Sequence, residues 1–174
     1  MARFLACGDS ALTVELGQGI SPEINVRVTA LTALITEARL PGVRELVPAY
    51  CSLTVQYDPS LTSHTQLTAA LTELCQHLDG PAAAAGTLVE LPVLYGGFCG
   101  PDLDFVAQNA GLSPEQVIQI HSQTDYLIYM LGFTPGFPYL GGMDSRIAAP
   151  RLQTPRVRIP AGSVGIAGEQ TGVY

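Results

Sequence analysis

The sequence has no lysine and no tryptophan; its eight basic residues are all arginine, in a chain of 174. Without an amine there is no lysine Schiff base, no P-loop lysine and no kinase-type lysine, because a guanidinium cannot replace the amine in any of those roles. Charge is scarce, at 13% of residues, and fifteen acids give a formal net charge of -7. A surface of that sign excludes non-specific duplex binding, which needs broad basic patches. No apolar run reaches the ~18 residues of a membrane span, and the opening MARFLACGDS lacks the apolar stretch of a signal peptide, so the expected location is cytoplasmic. Cys7, Cys51, Cys75 and Cys99 form no C-x-x-C pair, and His64, His77 and His121 are equally scattered, so free thiols are expected and a zinc site is not.

What is present is enough apolar material for a packed core, at 47% hydrophobic residues. Arg3–Cys7 and Leu12–Leu16 read as a hairpin around Gly8-Asp9-Ser10. Ser21-Pro22 opens a helix whose apolar positions run Ile24, Val28, Leu31 and Ile35 before Pro41-Gly42 stops it. Val43–Val47 and Ser52–Tyr57 alternate as strands, and Leu67, Leu71, Leu74 and Leu78 stripe a second helix. A strand is expected over Thr87–Tyr95. Together these predict an α+β fold with a ferredoxin-like N-terminal domain, the Thr87 strand closing its sheet. Asp79–Gly86, small residues bounded by Gly and Pro, reads as a linker, dividing the chain into domains 1–80 and 81–174. Beyond it short helices are expected over Pro101–Asn109 and Ser113–Gln123, then a strand over Tyr126–Leu131. The chain stops at Tyr174 inside an apolar β-like region, so either further residues or a partner is expected to cover an unpaired edge.

Several motifs carry chemistry. Tyr95-Gly96-Gly97-Phe98-Cys99-Gly100-Pro101 leads from a strand into a helix, but Asp102 and Asp104 in the first turn suit a helix cap better than a phosphate cradle. Gly162-Ser163 lies in a glycine-rich stretch like a nucleophile elbow; all three histidines precede it, so a serine bonding turn backbone is the simpler reading. Phe133-Thr134-Pro135-Gly136-Phe137-Pro138-Tyr139 places three aromatics on a backbone stiffened by proline and opened by glycine. That suits a ligand pocket or partner surface, and equally rings that plug the end of a barrel. Residues 1–145 carry four arginines and fourteen acids, a net -10, whereas residues 146–174 carry four arginines and one acid, a net +3. Arg151, Arg156 and Arg158, each near a proline, suit carboxylate or phosphate binding; the alternative is ion pairing with the protein's own acids. His121 on the second short helix is either a structural histidine or a proton carrier.

Tyr95-Gly96-Gly97, Gly100-Pro101-Asp102-Leu103, Gly111-Leu112-Ser113, His121, Leu131–Leu140, Pro150-Arg151, Pro155-Arg156 and Pro160–Tyr174 resemble the PxpB/KipI family in order and spacing. The resemblance implies an α+β domain followed by a cyclophilin-like β-barrel domain, in a chain that continues beyond the tyrosine. It also implies the PxpB-type component of an ATP-dependent 5-oxoprolinase, which opens 5-oxoproline to glutamate with PxpC/KipA-type and PxpA-type (LamB/YcsF) subunits. ATP with Mg is then expected in the assembled complex and not in this chain alone. Other members are described as inhibitors of a sensor histidine kinase, and related domains occur in urea carboxylase and under the label of an allophanate hydrolase component. The resemblance implies that Arg151, Arg156 and Arg158 hold the anion, that the Phe133–Tyr139 loop with Gly162 and Ser163 lines a shared pocket or partner contact, and that His121 is the candidate proton carrier.

Overall fold

A computed structural model describes residues 2–78 and 86–174. The chain divides into two compact units, Met1–Gly86 and Thr87–Tyr174. The expected linker falls on Asp79–Ala85, which lie outside the described residues.

In the first unit the hairpin forms as expected. β1 (Arg3–Ala6) pairs with β2 (Ala11–Glu15) across a turn that Gly8 enters with φ of 72°, closed by the bond from the Cys7 amide to the Ala11 carbonyl at 2.9 Å. Positive φ costs glycine nothing and would strain a residue with a Cβ. Helix α1 (Pro22–Ala38) starts at Ser21, whose hydroxyl accepts from the Ile24 amide, with Pro22 at the first helical position, where its missing N–H is no loss. It ends on Arg39 in the left-handed conformation, φ 47°, whose amide bonds the Ile35 carbonyl. β3 (Val43–Pro48) and β4 (Ser52–Tyr57) follow, then α2 (His64–Cys75), opened by a reciprocal capping box between Ser63 and Gln66.

The four strands form one antiparallel sheet in the order β1-β2-β4-β3. Alternation along β2 and β4 turns Leu12, Val14, Leu53 and Val55 inward, fully buried, where they meet Leu31 of α1 and Leu71 of α2. One expectation fails. Thr87–Tyr95 is not a strand, and the place beside β2 is held by β1 from the front of the chain. Pairing β1 with β2 closes a loop of a few residues, whereas recruiting a segment after α2 would close one many times longer at greater entropic cost.

The second unit has α3 (Leu103–Ala110), α4 (Pro114–Ser122), β5 (Leu127–Leu131), β6 (Pro138–Gly141), a 3-10 turn at Ser145–Ile147, β7 (Val164–Ala167) and β8 (Gln170–Val173). Its strands form an open antiparallel sheet, β5-β6-β8-β7, and among the described residues no barrel closes. The overall class is α+β, as expected. One face of this sheet packs on the helices around Ala107, Val117, Met143 and Ile147, with Ile166 of β7 against them.

The first unit's core has few polar groups to satisfy, so its stability rests on apolar packing. Replacing Leu53, fully buried on β4, by alanine removes several methyl groups from a site that backbone on both sides prevents from collapsing. Leu53→Ala is expected to cost about 2–5 kcal/mol in urea denaturation.

Candidate functional site

Helix α4 brings the first group of interest into place. Ser113 and Gln116 form a capping box and Pro114 occupies the first turn, fixing where the helix starts and so which residues face inward. Val117 and His121, four residues apart, share that buried face. The imidazole is bonded through both nitrogens: Nδ1 lies 2.7 Å from the Tyr95 hydroxyl and Nε2 lies 3.0 Å from the Thr171 hydroxyl of β8. The Tyr126 hydroxyl donates to the His121 carbonyl at 2.8 Å. The Tyr95 ring meets the imidazole edge-on at 5.8 Å, and the Tyr126 ring lies 5.4 Å away. Burial pushes the His121 pKa down and the Tyr95 phenol up, since each charged form would lose its hydration. The imidazole is therefore held neutral, and neither nitrogen is free to meet a substrate directly.

The aromatic loop joins β5 to β6. The Thr134 amide bonds the Gly132 carbonyl at 2.6 Å, a γ-turn centred on Phe133, and Phe133 accordingly has φ of 62°, a conformation that side chains with a Cβ rarely adopt. The next turn, Thr134-Pro135-Gly136-Phe137, has proline at its second position and glycine at φ 83° at its third, closed by the Phe137 amide on the Thr134 carbonyl at 3.1 Å. The result is a stiff loop that leaves Phe133 75% exposed and turns Phe137 back onto the sheet. Phe137 packs edge-to-face with Phe133, Tyr139 and Tyr174, at centroid separations of 5.6, 5.3 and 5.2 Å.

These rings lie on the sheet face opposite the helices, and glycines make room for them. A Cβ on Gly172 would stand 2.6 Å from Cζ of Phe137, and one on Gly165 would stand 3.4 Å from the Tyr174 ring. Gly132 lies in the same way under Tyr139, and Gly141 under the buried Tyr129. Each glycine lets a ring approach the backbone more closely than a Cβ would allow, as in cross-strand pairs where an aromatic covers the gap a glycine leaves.

Of the arginines, Arg156 grips Asp102 with two parallel bonds of 2.5 and 2.7 Å, holding the Asp102 carboxyl below the usual range. This corrects the expected helix cap: Asp102 stands at the N-cap of α3 but makes no capping bond, its carboxylate being taken by the stronger charge-assisted pair. Arg151 and Arg158 are exposed and form no ion pair among the described residues. The Ser163 hydroxyl donates to the Pro160 carbonyl at 2.7 Å, and the Gly162 amide bonds the Tyr174 carbonyl at 2.6 Å, so both serve the turn that leads into β7. Two such guanidiniums fit a carboxylate or phosphate. Among the described residues no three His, Cys, Asp or Glu side chains converge as a metal site built from protein ligands alone requires.

The structure thus brings His121 together with Tyr95 and Thr171, and Phe133, Phe137 and Tyr139 together with Tyr174. Sequence reasoning misses Tyr95, Thr171 and the supporting glycines as members of the site. The available signal is the pairing of Gly165 with Gly172 on adjacent strands, legible only once the register is known.

Fold and site define an α+β protein of two units whose second unit carries a rigid aromatic loop on one face of its sheet and a buried histidine network on the other. A family model described as carboxyltransferase domain, subdomain C and D, matches residues 2–174, and the chain belongs to this family. The resemblance to PxpB/KipI proteins stands with it. The chain is 46% identical to the B component of 5-oxoprolinase from Bacillus subtilis, over 96% of this chain and 74% of that protein. It is 38% identical to the corresponding B component of 5-oxoprolinase from Escherichia coli O157:H7, over 99% of this chain and 78% of that one. Among solved structures it is similar to TTHA0988, with a TM-score of 0.80 at 38% identity, covering 100% of this chain and 32% of that one. It shares a fold with the urea amidolyase of K. lactis, with a TM-score of 0.74 at 18% identity, where it corresponds to 12% of the chain.

The glycine floor gives a graded test. Gly172 has no positive φ, so alanine there fits the backbone and meets only the Phe137 ring, which must move. Gly172→Ala is expected to cost about 1–3 kcal/mol as overpacking and to perturb the ring resonances of Phe137. Gly165→Ala, with 3.4 Å to the nearest ring atom, is expected to cost distinctly less in the same urea titration.

Proposed function

We propose that this chain is the B-type component of an ATP-dependent 5-oxoprolinase, acting with PxpC/KipA-type and PxpA-type subunits to open 5-oxoproline to glutamate. The observation that carries the reading is the 46% identity, over nearly the whole chain, to a protein named as the B component of 5-oxoprolinase. The geometry supports it in one respect: the described residues offer binding groups in place of a self-contained catalytic set. Arg151 and Arg158 are the anion-binding groups, with Arg156 available where a stronger anion displaces Asp102. ATP with Mg belongs to the assembled complex, the metal ligands coming from outside the described residues. With both nitrogens bonded, His121 exchanges protons through its two hydroxyl partners, Tyr95 and Thr171.

The partner contact is placed at Phe133 and the exposed apolar side chains beside it. β5 is an edge strand, and Leu127, Ile128 and Leu131 on it are exposed together with Phe133. Apolar groups on an unpaired edge are what a heteromeric contact covers. The ferredoxin-like and cyclophilin-like assignments, and the domain limits 1–80 and 81–174, are part of the same proposal. The order β2-β4-β3 with two helices on a shared core supports the first, and for the second the support is limited to an antiparallel four-stranded sheet that does not close among the described residues.

Coexpression of the full-length protein with KipA-type and PxpA-type subunits is expected to yield a complex that releases glutamate from 5-oxoproline only with ATP. An intact complex without that activity overturns the reading. Phe133 is the better probe of the contact than Phe137, because Phe137 is packed within the aromatic cluster and its loss would disturb the loop itself. Phe133→Ala is expected to weaken capture of the KipA-type partner roughly thirtyfold, the equivalent of ~2 kcal/mol at an interface hot spot, with thermal stability lowered only slightly by the lost edge contact with Phe137. Equal capture by variant and wild type removes the loop from the interface.

A further inference from the structure

The two faces of the second unit's sheet meet at two consecutive residues of β8. Thr171 turns toward α4 and bonds His121; Gly172 turns the other way and supports Phe137. Successive residues of a strand must point to opposite faces, so the segment cannot shift at one of these positions without shifting at the other.

A neutral imidazole has one donor and one acceptor nitrogen, and two hydroxyls, each able to give or take, match it in either tautomer. Protonation makes both nitrogens donors. Tyr95 and Thr171 must then both accept, and a cation must sit in a site that is 7% exposed. Among the described residues no carboxylate bonds the ring, and the negative end of the α4 dipole, in whose last turn His121 stands, answers the charge only in part. The titratable groups against the ring are the phenols of Tyr95, from the segment before α3, and Tyr126, from the segment after α4. Asp144, whose field reaches Tyr126, is paired with Arg146 at 2.6 Å. Asp104 on α3, Glu115 on α4 and Glu169 in the β7–β8 turn are solvent-exposed.

We propose that the Tyr95–His121–Thr171 chain is an acid-sensitive latch on the aromatic loop: when His121 takes a proton from water it leaves Thr171 for solvent, β8 loosens, and Phe137 loses its floor. The proton comes from hydronium in the solvent, whose O–H bond breaks as the imidazole N–H forms; no other covalent bond changes. The sign follows from burial. Because the closed state holds His121 below the ordinary imidazole value of ~6.5, the opened state binds the proton first as pH falls through that value. The latch is fully closed above it and is progressively lost below it. The inference concerns this chain's own loop and stands whether or not the chain acts in a 5-oxoprolinase.

The absence of tryptophan makes the test direct, since the near-ultraviolet circular dichroism then comes mainly from tyrosine, and five of the seven tyrosines (Tyr95, Tyr126, Tyr129, Tyr139, Tyr174) lie in the second unit. Wild type is expected to lose most of that signal, and to broaden the Phe137 ring resonances, at pH values below ~6.5, with the far-ultraviolet spectrum unchanged. His121→Gln, which cannot take up a proton, is expected to show no such transition. Thr171→Val, isosteric but without the hydroxyl, is expected to show the loosened spectrum already at neutral pH, and Thr171→Ser to restore the wild-type profile. If His121→Gln does not fold, wild type against Thr171→Ser and Thr171→Val still decides. A wild-type signal that stays constant until the whole chain unfolds, or a transition of the same midpoint in His121→Gln, overturns the proposal.

Discussion

The alternation of faces along β8 is the constraint on which the second unit depends. This unit has a small aliphatic core, with Ala107, Val117, Met143 and Ile147 as its buried cluster, against a cluster of twelve among the described residues of the first unit. Burial of aliphatic area therefore contributes much less to it, and specific contacts on both faces of the sheet must make up the difference. On one face the specific contact is His121 on Thr171. On the other it is a set of rings lying on glycines. Both depend on the same strand being in one register. A slip of one residue would carry the Thr171 hydroxyl to the aromatic face and bring bare Gly172 backbone under the imidazole. The β7–β8 ladder, pairing Ile166 with Thr171 and Gly165 with Gly172, prevents the slip.

The two units use glycine and aromatic residues differently, and the difference follows from what each face must do. In the first unit glycine appears at turns such as Gly8, where positive φ is needed, and the strands are filled by leucine and valine that interdigitate with α1 and α2. In the second unit Gly141, Gly165 and Gly172 sit inside strands, where glycine loses conformational freedom on folding and weakens the sheet. The compensation is contact area: each bare backbone segment accepts a ring that a side chain would displace. The unusual backbone of Phe133 has a related origin. A left-handed phenylalanine is tolerated because the following Pro135-Gly136 turn and the Gly132–Phe137 bond hold the loop from both sides.

Much of this is legible in the sequence. The helix start at Ser21-Pro22, the capped start at Ser113-Pro114, the hairpin around Gly8 and the alternation of β2 and β4 are local signals, set by residues within a turn or two of each other, and the structure follows them. What is not legible is long-range. Thr87–Tyr95 has the composition of a strand, yet the place expected for it goes to β1, because composition does not say which segment reaches an edge first. The aromatic loop stands out by its Pro and Gly content, but Gly172 as the seat of Phe137 needs the register of β8. His121 can be placed on a helix face from its spacing; its partners, 26 and 50 residues away along the chain, cannot.

The arginines show why clustering in sequence does not by itself make a site. Arg151, Arg156 and Arg158 fall within eight residues, but of the three only Arg156 reaches a carboxylate among the described residues, and it does so across 54 positions to Asp102. An exposed ion pair of this kind contributes only ~0–1 kcal/mol to stability, so its effect is chiefly geometric: it ties the irregular stretch between the Ala149–Gly168 bridge and β7 to the start of α3. With that tie made, Arg151 and Arg158 stay out in solvent on a chain that is negative overall. Their field is local, falling off within a Debye length of ~8 Å at physiological salt, and beyond it the surplus of acids repels anions. On the proposed reading, these guanidiniums would hold an anion only after another force had brought it close, and an apolar contact at the exposed Phe133 would supply that force without charge.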